Sequence, residues 1–264
     1  MSLDAEGFLR YQIANAEIRR FPFPHFFIQP AFPEDFYQRL LENLPQTSVL
    51  TPIAAFGTVQ AVEGGDPQDE SQRYIADIAT LEEDEERRNA GRFWSELGAW
   101  ISSHPFRQLV LDKFAREITE RFGPVSKLVT DIDTRYIRDF TRYAIAPHTD
   151  MPTKLVSLLF YLPHDTAFQQ HGTSIYVPRD PRLRCEGTAR HRFDRFRRVA
   201  TLPFVPNALL GFLKTDQSFH GVEEIDAPGI ERNLLLYNIY VRKVVRRPAM
   251  QAKAPWSWFR RKTP

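Results

Sequence analysis

Residues 143–163 read YAIAPHTDMPTKLVSLLFYLP, and two features of this stretch set the reading of everything around it. His148 and Asp150 stand two apart, and residues two apart on an extended chain point to the same face, so an imidazole and a carboxylate can meet at one ion. The run Leu155 to Leu162 that follows is nearly continuous apolar sequence, the pattern of a strand buried on both faces, and Pro163 stops it. A third donor comes from SFHGVEEI, where His220 follows another strand-like run. Two histidines and one carboxylate on one face leave the remaining positions of a metal open, the donor set that suits Fe(II).

A His two residues before an Asp is a weak signal on its own. Its context is four segments in order, KLVSLLFYLP, GTSIYVP, PNALLGFLKTDQSFHGVEEI and ERNLLLYNIYV, the last carrying Arg232 twelve residues after His220. In these motifs, over residues 128 to 243, the chain resembles the Fe(II)- and 2-oxoglutarate-dependent dioxygenases, in particular their prolyl-hydroxylase-like branch. The resemblance implies an α+β, mainly β fold, a double-stranded β-helix (jelly-roll or cupin-like barrel) with N-terminal helices packed on one side. It implies His148, Asp150 and His220 as metal ligands and catalytic residues, Arg232 as the clamp on the distal carboxylate of 2-oxoglutarate, and O2 as the second co-substrate. The implied reaction is decarboxylation of 2-oxoglutarate to succinate coupled to hydroxylation of a bound substrate.

Two departures from the family pattern bear on the co-substrate site. Many relatives carry a hydroxyl residue two positions after the clamp, where this chain has Leu234, so a partner hydroxyl has to come from Tyr143, Thr173 or Tyr240. Lys154, six residues after His148, competes with Arg232 for the same carboxylate. Arginine is favoured because its planar fork matches a carboxylate bidentately.

Composition bounds the rest. Hydrophobic residues make up 42% of the 264 and aromatics 13%, enough for a sizeable core, which excludes disorder of the whole chain. The length fits one domain, divided into a helical support region 1–126, a catalytic core 127–245 and a basic extension 246–264. A formal net charge of +2 is too small to imply nucleic acid. The single cysteine, Cys185, has no partner for an intramolecular disulfide and points to a reducing, cytoplasmic compartment, which also suits Fe(II). No run approaches 18 apolar residues, and MSLDAEGFLRYQ lacks the basic flank and apolar stretch of a signal peptide.

Along the chain, the apolar spacing predicts a helix over 3–19, a strand HFFIQ, and a helix with Phe36, Leu40, Leu41 and Leu44 on one face, limited by Pro45. His25, set among Phe and Pro, reads as a packed structural histidine. Residues 57–74 read as a polar loop or lid, and LEEDEERR as a solvated helix start. Two further helices are expected, one through Phe93, Trp94, Leu97, Trp100 and Ile101, the other from Phe106 to Phe122 and ended by Gly123-Pro124. KLVTDIDTRYIRDFTRYAIAP reads as two strands leading to His148. No internal repeat or low-complexity tract stands out.

The arginine-rich stretch 179–198 has two readings: a solvated, salt-bridged surface answering the acidic run near 82–86, or a cluster that attracts an anionic substrate or an acidic protein partner. The substrate class, small molecule or peptidyl, is not written in these residues. Zinc hydrolysis leaves Arg232 unexplained. A non-redox cupin-type enzyme shares the barrel but not the ligand order, and a barrel that only binds would have no need of an intact ligand set.

Overall fold

The computed structural model describes residues 4–56, 70–83, 88–187 and 189–244. The C-terminal extension, most of the expected lid and the centre of the acidic run lie outside the described residues.

The helices are α1 Ala5–Asn15, α2 Glu34–Glu42, α3 Ile78–Glu82, α4 Arg88–Ile101, α5 His104–Lys113 and α6 Ala115–Phe122. The strands are β1 His25–Ile28, β2 Thr51–Pro52, β3 Arg73–Asp77, β4 Leu128–Asp139, β5 Ile145–His148, β6 Lys154–Tyr161, β7 Thr173–Pro178, β8 Phe196–Leu202, β9 Ala208–Leu213, β10 His220–Val222 and β11 Arg232–Val244. They form two antiparallel sheets, a large one ordered β1-β9-β6-β11-β4-β3-β2 and a small one ordered β5-β10-β7-β8. From β4 onward the chain passes back and forth between the sheets, with β4, β6, β9 and β11 in the large one and β5, β7, β8 and β10 in the small one.

The two-residue period of a strand sorts the side chains of the large sheet between two cores. On β11, Leu235, Tyr237 and Ile239 face the helices, in one cluster with Trp94, Leu97, Phe106 and Ile118. The intervening Leu234 and Leu236 face the small sheet, with Ile137, Tyr161, Ile175 and Leu202. Strand β6 is packed from both sides, which explains its unbroken apolar sequence.

Several local expectations are corrected. Helix α1 stops at Asn15, and Ala16 and Ile18 pack against the helical core from a non-helical segment. The apolar face from Phe106 to Phe122 belongs to two helices, because the chain bends at Phe114, whose ring stacks on Phe26 of β1 at 5.8 Å. Ser103 starts the first of them by accepting the Phe106 amide. Within LEEDEERR one helix ends, at Glu82, and the next begins at Arg88, so the acidic run joins two helices. Residues 73 and 74, expected in the loop, open strand β3. That strand carries the motif R-Y-I-x-D, which recurs as residues 135–139 on β4. The antiparallel register puts each Arg of one copy opposite the Asp of the other, with Arg73 on Asp139 at 2.7 Å and Arg135 on Asp77 at 3.2 Å.

Candidate metal centre

Strands β5 and β10 are neighbours in the small sheet, and their register sets His220 directly opposite His148. The two rings stand 4.4 Å apart, centre to centre. Asp150 lies just past the end of β5, with a carboxylate oxygen 4.0 Å from His220 Nε2. One donor atom from each of the three lies within 4.8 Å of the others, and among the described residues this is the group of histidine and carboxylate side chains able to hold an ion.

The hydrogen bonds around the triad fix which atoms are available. His148 Nδ1 donates to the Ala146 carbonyl at 2.8 Å and His220 Nδ1 to the Ser218 carbonyl at 2.9 Å. A carbonyl only accepts, so both protons sit on Nδ1 and both Nε2 lone pairs are left for a metal. Burial, followed by repulsion from Arg190 and His220, holds His148 well below the usual histidine range, and burial also lowers His220. Both rings are therefore neutral near pH 7. For Asp150, burial alone would raise the carboxyl, but Lys154 and then the two histidines hold it below the usual carboxylate range. Lys154 Nζ donates to one carboxylate oxygen at 3.0 Å and Ser157 Oγ to the other at 3.2 Å. An ionised carboxylate has about four lone-pair sites, so these two bonds orient Asp150 and leave room for an ion. Two neutral imidazoles and an ionised carboxylate fit a divalent metal with open positions.

Close approach of the two ligand strands depends on Gly221, where a Cβ would lie 2.5 Å from the Ile145 carbonyl oxygen. The turn between the ligands is braced as well. Thr149, fully buried, donates to the Cys185 carbonyl at 2.8 Å. Lys214, 1% exposed, reaches Thr149 Oγ1 and the carbonyls of Cys185, Glu186 and Thr215 at 2.8–3.3 Å. Its acceptors are neutral oxygens, and burial lowers its pKa. Sequence reasoning passed over Lys214 and Gly221, because neither belongs to a ligand pattern.

The triad opens into a cavity of about 180 Å³ that is also lined by Tyr143, Lys154, Thr173 and Arg232. Arg232 is 1% exposed. Its Nη1 donates to Asp139 at 2.7 Å, its Nε to the His171 carbonyl at 2.8 Å and its Nη2 to Thr173 Oγ1 at 3.3 Å. Three of the five guanidinium N–H groups are thus engaged, and the fork is held rigid with two left for a ligand. Asp139, itself fully buried, also accepts two bonds from Arg73 at 2.7 and 2.9 Å. The three side chains form a row across β3, β4 and β11. Of the expected hydroxyls, Thr173 contacts Arg232. Tyr143 lines the cavity under the Arg73 guanidinium, 4.4 Å from it. Tyr240 sits beside Lys154 and is not itself among the residues that line the cavity. His25 is a packed residue of β1, its Nδ1 bonded to the Phe23 carbonyl.

No family model matches the sequence, and no curated protein matches it either. Solved structures do. The likeness is to 2-oxoglutarate- and iron-dependent oxygenases. One is an oxidoreductase of the 2OG-Fe(II) oxygenase family from Burkholderia pseudomallei, 11% identical over 90% of this chain and 91% of its own, with a TM-score of 0.47. Another is a prolyl-4-hydroxylase from Pseudomonas putida, 14% identical over 90% of this chain and 99% of its own, with a TM-score of 0.45. A third, HygX from Streptomyces hygroscopicus, was solved with nickel and 2-oxoglutarate bound, and is 14% identical over 82% of each chain with a TM-score of 0.37. No helix among the described residues is long and apolar enough to cross a membrane.

Proposed function

We propose that this chain is an Fe(II)- and 2-oxoglutarate-dependent oxygenase, which hydroxylates a substrate at the mouth of the cavity while 2-oxoglutarate is converted to succinate. The observation that carries the reading is the convergence of His148, Asp150 and His220 in the protonation and tautomeric states that a metal requires. The alternation of strands between the two sheets supports a double-stranded β-helix, and the shared core of helices and large sheet supports a single domain. The cytoplasmic location rests on the lone cysteine.

Iron bound by the triad would supply the activation of O2 and its coupling to the keto acid. The chain's own residues hold and orient. Arg232, steadied by Asp139 and Thr173, takes the distal carboxylate of 2-oxoglutarate, and Arg73, sharing Asp139, adds a second positive charge behind it. Lys154 and Ser157 keep Asp150 ionised and aimed, so in this reading Lys154 serves the metal ligand in preference to the co-substrate. Apolar side chains such as Ile137, Leu159 and Leu234 complete the walls and keep the space around the reacting atoms dry.

The test is reconstitution with Fe(II), ascorbate and 2-oxoglutarate, with succinate counted by mass spectrometry. Succinate formation that needs Fe(II) and disappears in His148→Ala, Asp150→Ala and His220→Ala supports the proposal. Full turnover by a purified Asp150→Ala protein rejects it.

A further inference from the structure

The inner face of the large sheet changes character beside the metal centre. Along β11, Leu234 and Leu236 line the cavity, and the next residue on that face is Asn238. The register sets Asn238 between Ser157 of β6 and Asp133 of β4. Partners opposite one another in a sheet share a face, so these three side chains form a polar row next to the apolar pair Leu159 and Leu236.

Asn238 is 1% exposed, and its neighbours fix which way the amide points. Nδ2 donates to Asp133 Oδ2 at 3.2 Å, and an ionised carboxylate only accepts, so the carbonyl oxygen Oδ1 is turned away from Asp133. Asp133 is held in turn by Arg135, whose Nε donates to its other oxygen at 2.8 Å. Asn238 Oδ1 is closed to solvent and accepts no hydrogen bond from the described residues. A buried acceptor without a donor is costly, and a closed one is beyond the reach of a substrate in the cavity. Its donor has to come from within the protein.

Ser157 is placed to be that donor. It stands directly opposite Asn238, where facing Cβ atoms lie about 4.5–5.5 Å apart, and its hydroxyl is free to rotate. The structure gives its one proton to Asp150 Oδ2, at 3.2 Å. Oδ2 is also the Asp150 oxygen that faces His220 Nε2, at 4.0 Å, so it is the oxygen that would ligate a metal. Lys154, the other donor on this face of β6, stands opposite Tyr240 and is bonded to Oδ1. A carboxylate oxygen that ligates a divalent ion gives up electron density to it and becomes a poorer acceptor.

Resting on the metal-centre reading, we infer that Ser157 is a two-position donor and that Asn238 is the positioning residue that serves its second position. With Asp150 Oδ2 committed to a metal, the Ser157 hydroxyl turns to Asn238 Oδ1. Filling the buried acceptor then adds to metal affinity, and Ser157 no longer contends with the ion for Oδ2.

The probe is Co(II), titrated by calorimetry, with melting curves in EDTA beside it. Asn238→Leu keeps the branching of the side chain and should melt no lower than wild type in EDTA, because it removes an acceptor that has no donor there. It should bind Co(II) roughly three- to tenfold more weakly. Ser157→Ala should weaken Co(II) by a similar factor, and adding Asn238→Leu to it should cost nothing further, since both act through one hydrogen bond. Should leucine not fit, Asn238→Ala carries the same Co(II) comparison. Losses that multiply in the double variant overturn the inference, as does unchanged Co(II) affinity in Asn238→Leu. A fall in Tm in EDTA with Co(II) affinity unchanged assigns Oδ1 to a buried water and also overturns it. Wild-type protein that takes up no Co(II) overturns the metal centre and this inference with it, whereas tight wild-type binding with multiplying losses ends this inference alone.

Discussion

Substituting Gly221 by alanine tests whether the two ligand strands must lie as close as they do. The new Cβ would lie 2.5 Å from the Ile145 carbonyl oxygen, with the Ala146 carbonyl carbon and oxygen at 3.2 and 3.3 Å, while ordinary contacts begin at 3.4 Å. All three are backbone atoms, so no side chain can rotate aside, and β10 has to part from β5 by about 0.9 Å, the difference between 2.5 and 3.4 Å. The displacement falls one residue from His220 and on the strand that carries His148. Overpacking of this kind costs about 1–3 kcal/mol, which lowers Tm by roughly 2–12 °C for a chain of this size. Metal sites tolerate only about 0.2 Å in ligand distance, and disturbing the groups that orient ligands weakens binding by about 10–100-fold. Calorimetric titration with Co(II), alongside melting curves in EDTA, reads both effects. Gly123→Ala is the control, since its Cβ meets nothing within 4 Å and only its φ of +84° is strained. It should cost about 1–3 kcal/mol without touching metal affinity. Unchanged Co(II) affinity in Gly221→Ala would refute the reasoning.

Arg232→Ala should raise the 2-oxoglutarate dissociation constant by about 10–100-fold while leaving metal affinity intact, since it removes a buried charge-assisted contact; equal binding by the variant would move the clamp elsewhere. Lys214→Met should weaken Co(II) by about tenfold or more by removing the ammonium that ties Thr149 to the carbonyls of Cys185, Glu186 and Thr215, with partial rescue in Lys214→Arg; a lower Tm in EDTA with unchanged Co(II) affinity would reduce its role to folding. The metal-free protein should lose stability as the pH falls below about 6.5, where the unfolded chain protonates histidines that the fold keeps neutral, at up to about 2.7 kcal/mol per pH unit for the pair. Asp150, depressed in the fold, adds a second loss once the pH drops below about 3.9. A Tm in EDTA that stays level from about pH 7.5 to 5 would contradict the buried neutral histidines.

The legible parts of this chain were those in which chemistry and periodicity coincide. His148, Asp150 and His220 could be read because each adjoins an apolar strand, and Arg232 because alternation put it on the same face as Leu234. Strand β3 was hidden by its polar flanks, and with it Arg73. The recurring R-Y-I-x-D could have revealed it, since an antiparallel pair of such motifs places each Arg opposite an Asp. Lys154 looked like a rival clamp because spacing gives its strand but not its partner, and the structure gives that partner as Asp150. Lys214 and Gly221 act through carbonyl oxygens and close backbone approach, which no pattern of side-chain types encodes. The bend at Phe114 was equally silent, because the apolar spacing of α5 continues into α6 without a break in the sequence.

The most direct measurement is an anaerobic titration of the purified protein with Fe(II), then 2-oxoglutarate, followed by admission of O2 and a count of succinate. The expected result is a single equivalent of iron, keto-acid binding that depends on that iron and on Arg232, and succinate formed on exposure to O2. Stoichiometric iron without any binding of 2-oxoglutarate would contradict it.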